Sequence, residues 1–439
     1  MSEKSSFRSR NYFKQLKSSF IFKVLAILAS FLVIPVMIQY LGHEKYGVWS
    51  TLLSILSWIV MFDIGIGNGL RNKLSESIAK NEYIKAREYI STTYAAIACV
   101  AILVGFIFAI ISEWINWSRV FNTETVSREM LAVIVNVSMF FVLINFVFAT
   151  VNQILNALQK TNITVFNQFL ANLFSLFFVF VLSKNTDGKL EYIAIVFGLS
   201  ILFSNMLVSF WFYRRNVIYR PAIHLIKKER LFETLSLGSQ FFIIQIAVIV
   251  LFTTDRLIIS QLLGPEYVTP YDVVFKLFSV VTIFHGIIVA PLWNSYSDAY
   301  HRNDYTWMQG MMKRQMKILG FILLATMLLM LLIPSIIQIW IGDINNLSLN
   351  MIVSLCFFTL FQAWNNIFAM FLNGINETRL QVRTAIIAAI INIPLSILFV
   401  KCFGMGVDGI VLGSIVALGI FSVFGPYESY KKLYKVSHV

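Results

Sequence analysis

Unbroken apolar runs, each near twenty residues, alternate with short polar stretches along the whole chain. A helix rises roughly 1.5 Å per residue, so about twenty residues cross the hydrocarbon core of a bilayer. The pattern predicts twelve helical spans, at 20–41, 48–68, 93–112, 129–153, 164–183, 192–213, 237–259, 271–295, 316–341, 351–372, 382–402 and 407–427. Gly, Pro, Asn and charged residues separate them. The fold class is therefore an all-α membrane protein. Pro35 and Pro291 are expected to kink their spans, and Pro334 and Pro394 to do the same. The first run begins near Ser19 and is too long for a signal-peptide core. No small-x-small cleavage site follows it, so it is expected to remain as the first helix.

Composition agrees with the pattern. Of the 439 residues 58% are hydrophobic and 13% charged, far from the balance of a soluble domain. The net charge of +13 would suggest nucleic acid in a soluble protein. Here it segregates instead. The N-terminus, the loops beginning at Asn68, Asn156, Arg214, Tyr296 and Asn373, and the C-terminal tail hold 27 of the 35 basic residues. The opposite loops hold six: Lys45, Arg119, Arg128, Lys184, Lys189 and Lys401. Cytoplasmic loops carry the excess, so both termini are expected in the cytoplasm and no nucleic-acid partner is implied. The longest loops, around 69–92 and 214–236, fall on the basic side and are expected to form short surface helices. Cys99, Cys356 and Cys402 are far apart and form no CxxC or Cys/His spacing. Neither a metal site, a disulfide framework nor a cofactor is indicated.

The chain also repeats itself. Gln39-Tyr40-Leu41-Gly42-His43-Glu44 follows the first span, and Gln261-Leu262-Leu263-Gly264-Pro265-Glu266 follows the seventh, at an offset of 222. Leu155-Asn156-Ala157-Leu158-Gln159-Lys160-Thr161 and Leu372-Asn373-Gly374-Ile375-Asn376-Glu377-Thr378 align at 217. Six spans per half is even, so the halves share one orientation, a parallel repeat with the substrate path expected between them. The predicted domains are 1–213, a six-helix bundle; 214–236, a basic cytoplasmic linker; and 237–439, a second six-helix bundle.

The stretch from Leu41 to Tyr94 reads LGHEKYGVW, then MFDIGIGNGLRNKLSESIA, then AREYISTTY. Its order of an LG-x-x-x-YG turn, a D-x-G-x-x-x-x-LRN helix end and a basic loop resembles the amino-terminal signature of Wzx-type O-antigen flippases. These form the polysaccharide transporter branch of the MATE-like MOP exporter superfamily. Ala290-Pro291-Leu292-Trp293 and Leu372-Asn373-Gly374 resemble the family more weakly. The resemblance implies two six-helix bundles around a cavity lined by the first, second, seventh and eighth helices. It implies a bacterial inner-membrane protein that moves an undecaprenyl-pyrophosphate-linked oligosaccharide from the cytoplasmic to the periplasmic side. The partners implied are that lipid-linked oligosaccharide, membrane lipids, and the polymerase and chain-length proteins of the same pathway.

Charges inside spans are costly and face protein or water, which makes them candidates for function. Arg256, in span seven, and Lys276, in span eight, lie at one depth of a hairpin and suit a pyrophosphate: Arg as a fork, Lys as a point charge. The alternative is internal pairing, since Asp255 adjoins Arg256 and Asp272 sits four residues before Lys276. Asp63, Asp255, Asp272 and His285 are candidates for gating or coupling. Asp63 precedes Gly65, Gly67 and Gly69, which could loosen the helix end, or it packs against a neighbouring helix. His285 could titrate near neutral pH, or it is a hydrogen-bonded packing residue. The GxG segment follows a span rather than a strand, so it is no dinucleotide loop.

Two other classes compete with a flippase. A small-molecule exporter of the same superfamily would share the architecture. A membrane polymerase or ligase of the same pathway should carry a large outer loop with catalytic residues, and the outer loops here are short. No Walker motif is present, so the chain is expected not to hydrolyse ATP itself, and no enzymatic activity is expected.

Overall fold

The computed structural model describes residues 3–59, 66–289 and 291–435, and within them the side chains of 18–59, 66–78, 80–235, 253–289, 291–293, 295–300 and 302–434. Hydrocarbon offers no partner to a bare amide, so a spanning chain must close its hydrogen bonds within itself. The described residues do so as helices: α1 (Glu3–Leu41), α2 (His43–Ile59), α3 (Ile66–Ala79), α4 (Tyr83–Trp114), the short α5 (Trp117–Phe121), α6 (Arg128–Ala157), α7 (Thr161–Asn185), α8 (Leu190–Arg215), α9 (Lys228–Leu262), α10 (Val268–Val289), α11 (Leu292–His301), α12 (Tyr305–Trp340), α13 (Leu349–Gly374), α14 (Arg379–Phe403) and α15 (Val407–Lys435). Among the described residues no strand occurs.

Ten described segments are long and apolar enough to cross a membrane, and together they make this a multi-pass membrane protein. They match ten of the twelve expected spans. The expected span 48–68 begins as α2, which ends at Ile59, and residues 60–65 lie outside the description. The expected span 237–259 falls within the continuous helix α9, much of whose side-chain detail is likewise outside it. The expected span 271–295 stops at Val289, and α11 starts just after Pro291. Proline lacks the amide hydrogen a continuing helix needs, so Pro291 stands at a helix start rather than inside a kink. Pro35, Pro334 and Pro394 do lie inside helices.

The chain forms two compact units, Met1–Gln245 and Ile246–Val439, and the boundary falls within α9. In the first unit α1 packs on α7, α7 on α8, α8 on α6, α6 on α4 and α2, and α3 on α4 and α6. In the second α14 packs on α15, α15 on α13, α13 on α12 and α10, and α11 on α12 and α13. Each of these second-unit contacts reproduces one in the first. The segment before α9 holds two 3-10 turns, Val217–Tyr219 and Ile223–Leu225.

The turns repeat as well. Gly42 and Gly264 both adopt positive φ, +77° and +121°, where a side chain is disfavoured. Gln159 and Asn376 are left-handed at +59° and +60°. In each of these two turns the next amide reaches back over five residues, Lys160 N–H to Leu155 O and Glu377 N–H to Leu372 O, both at 2.8 Å. A third pair appears at Asn81 and Asn303, at +60° and +58°, in the matching strings Asn81-Glu82-Tyr83 and Asn303-Asp304-Tyr305. Their offset is again 222.

One end of each unit is pinned by an apolar core. In the first unit Leu70, Leu74, Tyr89, Ile154 and Phe212 are buried together. In the second the corresponding group is Tyr296, Met308, Phe368, Phe371 and Leu372. Elsewhere large apolar side chains face outward, among them Ile102, Phe106, Phe321 and Leu331, as lipid contact requires.

Candidate functional site

The last turns of α9 and the first turns of α10 face each other across the Gly264 turn, and both bring ionisable side chains into apolar helices. Asp255 is 2% exposed. It accepts from the Tyr271 hydroxyl at 3.1 Å and the Ser414 hydroxyl at 3.0 Å. Ser414 in turn accepts from Asn392 Nδ2 at 2.8 Å, and Asn392 Oδ1 accepts from Thr254 at 3.4 Å. A buried carboxyl group is tolerable only with such partners. Asp255 therefore ties α9 to α10, α14 and α15.

Arg256 points elsewhere. Its Nε and Nη2 both lie on Asp272 Oδ1, at 2.7 and 2.5 Å. Its guanidinium carbon lies 5.8 Å from the centre of the Tyr271 ring and 5.3 Å from that of Phe275. Aromatic faces attract a guanidinium and leave its edge to bind anions. Lys276 is half-buried one turn beyond Asp272, within electrostatic reach of both Asp272 and Arg256. The structure thus brings Arg256, Asp272 and Lys276 into one cluster, and Asp255 beside it with uncharged partners.

His285 is apart from them. Nine residues past Lys276, it lies about 13 Å further along α10. It lines a cavity of about 350 Å³ inside the second unit with Thr282, Gln362, Asn366, Gln381 and Thr384. The residue is 2% exposed, and its Nε2 has no hydrogen-bond partner among the described residues. Asp63 and Gly65 lie outside the described residues. Gly69 is described: a Cβ there would sit 2.2 Å from Thr234 O of α9, so this glycine permits a close helix approach. Among the described residues no group of three His, Cys, Asp or Glu could hold a metal.

The family model for Polysaccharide biosynthesis protein matches residues 14–292, well over half of the chain. The chain belongs to this family. A second family model, MatE, matches 241–398. Two proteins with similar sequences are named as an O-antigen transporter of Salmonella typhimurium and an O-antigen export protein of Yersinia pseudotuberculosis. The first is 24% identical, over 93% of this chain and 94% of its own. The second is 21% identical, over 81% and 82%. In fold the polysaccharide biosynthesis family member resembles a multidrug resistance MATE family transporter of the MOP superfamily, with a TM-score of 0.77 at 16% identity over 94% and 96% of the two chains. It also resembles a MOP superfamily transporter from Pyrococcus furiosus, with a TM-score of 0.64 at 14% identity over 95% and 96%. The protein is a membrane transport protein with a MATE-like fold, not an enzyme.

Two polar groups of this family member escape a search for charges within spans. In the first unit Asn167 Nδ2 donates to Asn152 Oδ1 at 3.0 Å and to Asn205 Oδ1 at 2.7 Å, and Asn205 Nδ2 donates to Asn145 Oδ1 at 3.1 Å. Ser204 donates to the carbonyl and amide oxygens of Asn167. This ladder joins α6, α7 and α8. Asn145 and Asn152 stand seven residues apart on one face of α6, which is the sequence signal for it.

The second group lies where α9 begins. Glu88 of α4, with a side chain 6% exposed, accepts from Lys227 Nζ at 2.5 Å and Arg230 Nε at 3.0 Å. Arg230 also reaches Glu233 at 2.8 Å, and Tyr89 donates to Glu233. The bond to Glu88 holds the Arg230 guanidinium even more firmly protonated than usual. The Tyr89 hydroxyl first, and Arg230 with it, holds the Glu233 carboxyl below its ordinary range against the opposing effect of burial.

Proposed function

We propose that the protein is a flippase that carries an undecaprenyl-pyrophosphate-linked oligosaccharide across the bacterial inner membrane for surface polysaccharide assembly. What carries this reading is the pairing of sequence kinship along almost the whole chain with cations placed inside the apolar helices α9 and α10. The likeness to named O-antigen transporters supports a glycan as cargo. A diphosphate is prohibitively costly in bare hydrocarbon, and fixed cations in a wetted cavity lower that cost. Arg256 and Lys276 are assigned to the diphosphate. Asp272 shares Arg256 in the structure, so the cargo must compete with it, and Asp272 acts as the gating partner. Asp255, held by uncharged groups, and His285, in its own polar cavity, are assigned to gating or coupling, together with Asp63.

The charge count supports a cytoplasmic position for both termini. Single cysteines at Lys45, Asp187 and Asp343, in a background without native cysteines, should react with an impermeant thiol reagent in intact cells. Cysteines at Lys80 and Lys228 should not. The reverse pattern would invert the orientation.

Deletion of the gene is the direct test. The mutant should accumulate lipid-linked repeat units on the cytoplasmic face and lose long-chain surface glycan, and the intact chain should restore it. A mutant that still exports normal glycan, with no second flippase present, would end this reading. An altered tolerance to small toxic compounds with unchanged glycan would favour a small-molecule exporter, the reading that the MatE match supports.

A further inference from the structure

A groove of about 650 Å³ opens on the first unit, and its walls include Phe148 of α6 and Met206 and Phe210 of α8. Met206 is 44% exposed and Phe210 66% exposed, so the groove borders the outer, lipid-facing side of these helices. Bilayer fills such a recess, and the question is which lipid settles there.

Arg214 and Arg220 line the same groove at the end of α8. Arg214 lies over Phe210, its guanidinium carbon 5.9 Å from the ring centre. Arg220 donates from Nε to Tyr213 O at 2.8 Å, one use of its five N–H donors. Arg87 of α4 stands beside them and donates to Arg220 O at 2.6 Å. Arg230, Arg256 and Arg302 each have a carboxylate partner. Among the described residues Arg214 and Arg220 have none. The carbonyl end of α8 would normally repel an anion. Here Tyr213 O is taken by Arg220, and Phe212 O by Asn216 Nδ2 at 2.8 Å.

An apolar groove ending in two unbalanced guanidinium groups matches a lipid in both of its parts. We propose that it is a binding site for an anionic phospholipid of the surrounding leaflet, with an acyl chain against Phe148, Met206 and Phe210 and the phosphate on Arg214 and Arg220. Arginine forks suit a phosphate, and basic pockets between helices at the cytoplasmic face select anionic head groups. This site is independent of the cargo reading. It lies in the first unit, whereas Arg256 and Lys276 belong to the second.

Native mass spectrometry of the delipidated full-length protein tests it, with dioleoyl-phosphatidylglycerol, dioleoyl-phosphatidylethanolamine and undecaprenyl phosphate as probes. Phosphatidylglycerol should be retained over phosphatidylethanolamine by about fivefold per arginine, on the order of twentyfold or more for the pair. The Arg214→Gln/Arg220→Gln variant should lose that preference. Arg215→Gln should keep it, because Arg215 lies over Trp211 and does not line the groove. Arg220 also caps a backbone carbonyl, so Arg214→Gln alone is included and should lose about half of the logarithmic preference. Equal retention of the two phospholipids, or a preference untouched by the double variant, would overturn the proposal. Undecaprenyl phosphate held more tightly than phosphatidylglycerol in an arginine-dependent way would also overturn it, and would reassign the groove to the cargo.

Discussion

Arg256 places both Nε and Nη2 on a single oxygen, Oδ1, of Asp272, sixteen residues further along the chain. A guanidinium fork is matched best by two oxygens of one anion. One carboxylate oxygen shared by two donors is a weaker match than the two oxygens a phosphate can present. Under the proposed function, a diphosphate cargo would have to displace Asp272 from the arginine.

That relationship separates two outcomes. Arg256→Ala leaves Asp272 without its guanidinium partner. The side chains are 18% and 15% exposed, so the loss should be on the order of 2–3 kcal/mol, below that of a fully buried pair. Protein abundance should fall. Adding Asp272→Asn should restore abundance while surface glycan stays absent. A double variant that exports glycan normally would reduce Arg256 to a structural partner.

The ion cluster at the start of α9 gives a pH dependence. The Glu233 carboxyl lies below its ordinary value of 4.5. A lowered folded-state value means stability that is present above pH 4.5 and lost as the pH falls through the folded-state value. The wild-type protein in detergent should therefore lose thermal stability on acidification below that range. Glu233→Gln, with no proton to take up there, should show a shallower acid slope. Parallel slopes would remove Glu233 from the linkage.

Gly69 is predicted to resist change. A Cβ at this position would lie 2.2 Å from Thr234 O, so Gly69→Ala must push α3 and α9 apart, at about 1–3 kcal/mol. Gly310→Ala and Gly320→Ala meet nothing within 4 Å and should be neutral, or stabilising by up to about 1 kcal/mol. Thermal unfolding of the three variants in one detergent distinguishes them. A Gly69→Ala protein as stable as wild type would show that the contact is easily relaxed.

The left-handed turns give a matched pair of substitutions. Gln159 at φ +59° is less suited to its conformation than Asn376 is at +60°. Gln159→Gly should raise stability by about 0.5–1 kcal/mol. Asn376→Val should lower it by about 1–2 kcal/mol, since a β-branched side chain fits that region poorly. Unchanged melting temperatures for both would remove backbone strain as the reason for these residues.

Hydropathy made most of the fold legible, because the bilayer imposes one length and one periodicity on every span. The repeated turn was legible through Gly42 and Gly264, whose positive φ leaves little choice of residue. The match of Asn81-Glu82-Tyr83 to Asn303-Asp304-Tyr305 was equally present, but it is short and sits in polar loops. The site was harder to read. Charge alone found Arg256, Asp272 and Lys276, yet neighbours in sequence did not give the partners: Asp255 adjoins Arg256 but bonds Tyr271 and Ser414. A helix sends consecutive side chains about 100° apart, so adjacency in the chain separates them in space. The spacing of Asn145 and Asn152 marks one face of α6, but their partners Asn167 and Asn205, and Thr234 beside Gly69, lie on other helices, and no local pattern encodes those pairings.

The anchoring of α9 on α4 also bears on how the protein is made. Arg230 follows its acceptor Glu88 by 142 residues. The ribosome delivers the chain in that order, and segments made first fold first. Glu88, Tyr89 and Gly69 are therefore synthesised before any residue of α9. The leading turns of α9, which belong to the first unit, therefore emerge to partners already made. A misfolded α3 or α4 would then leave the start of α9 without its anchor.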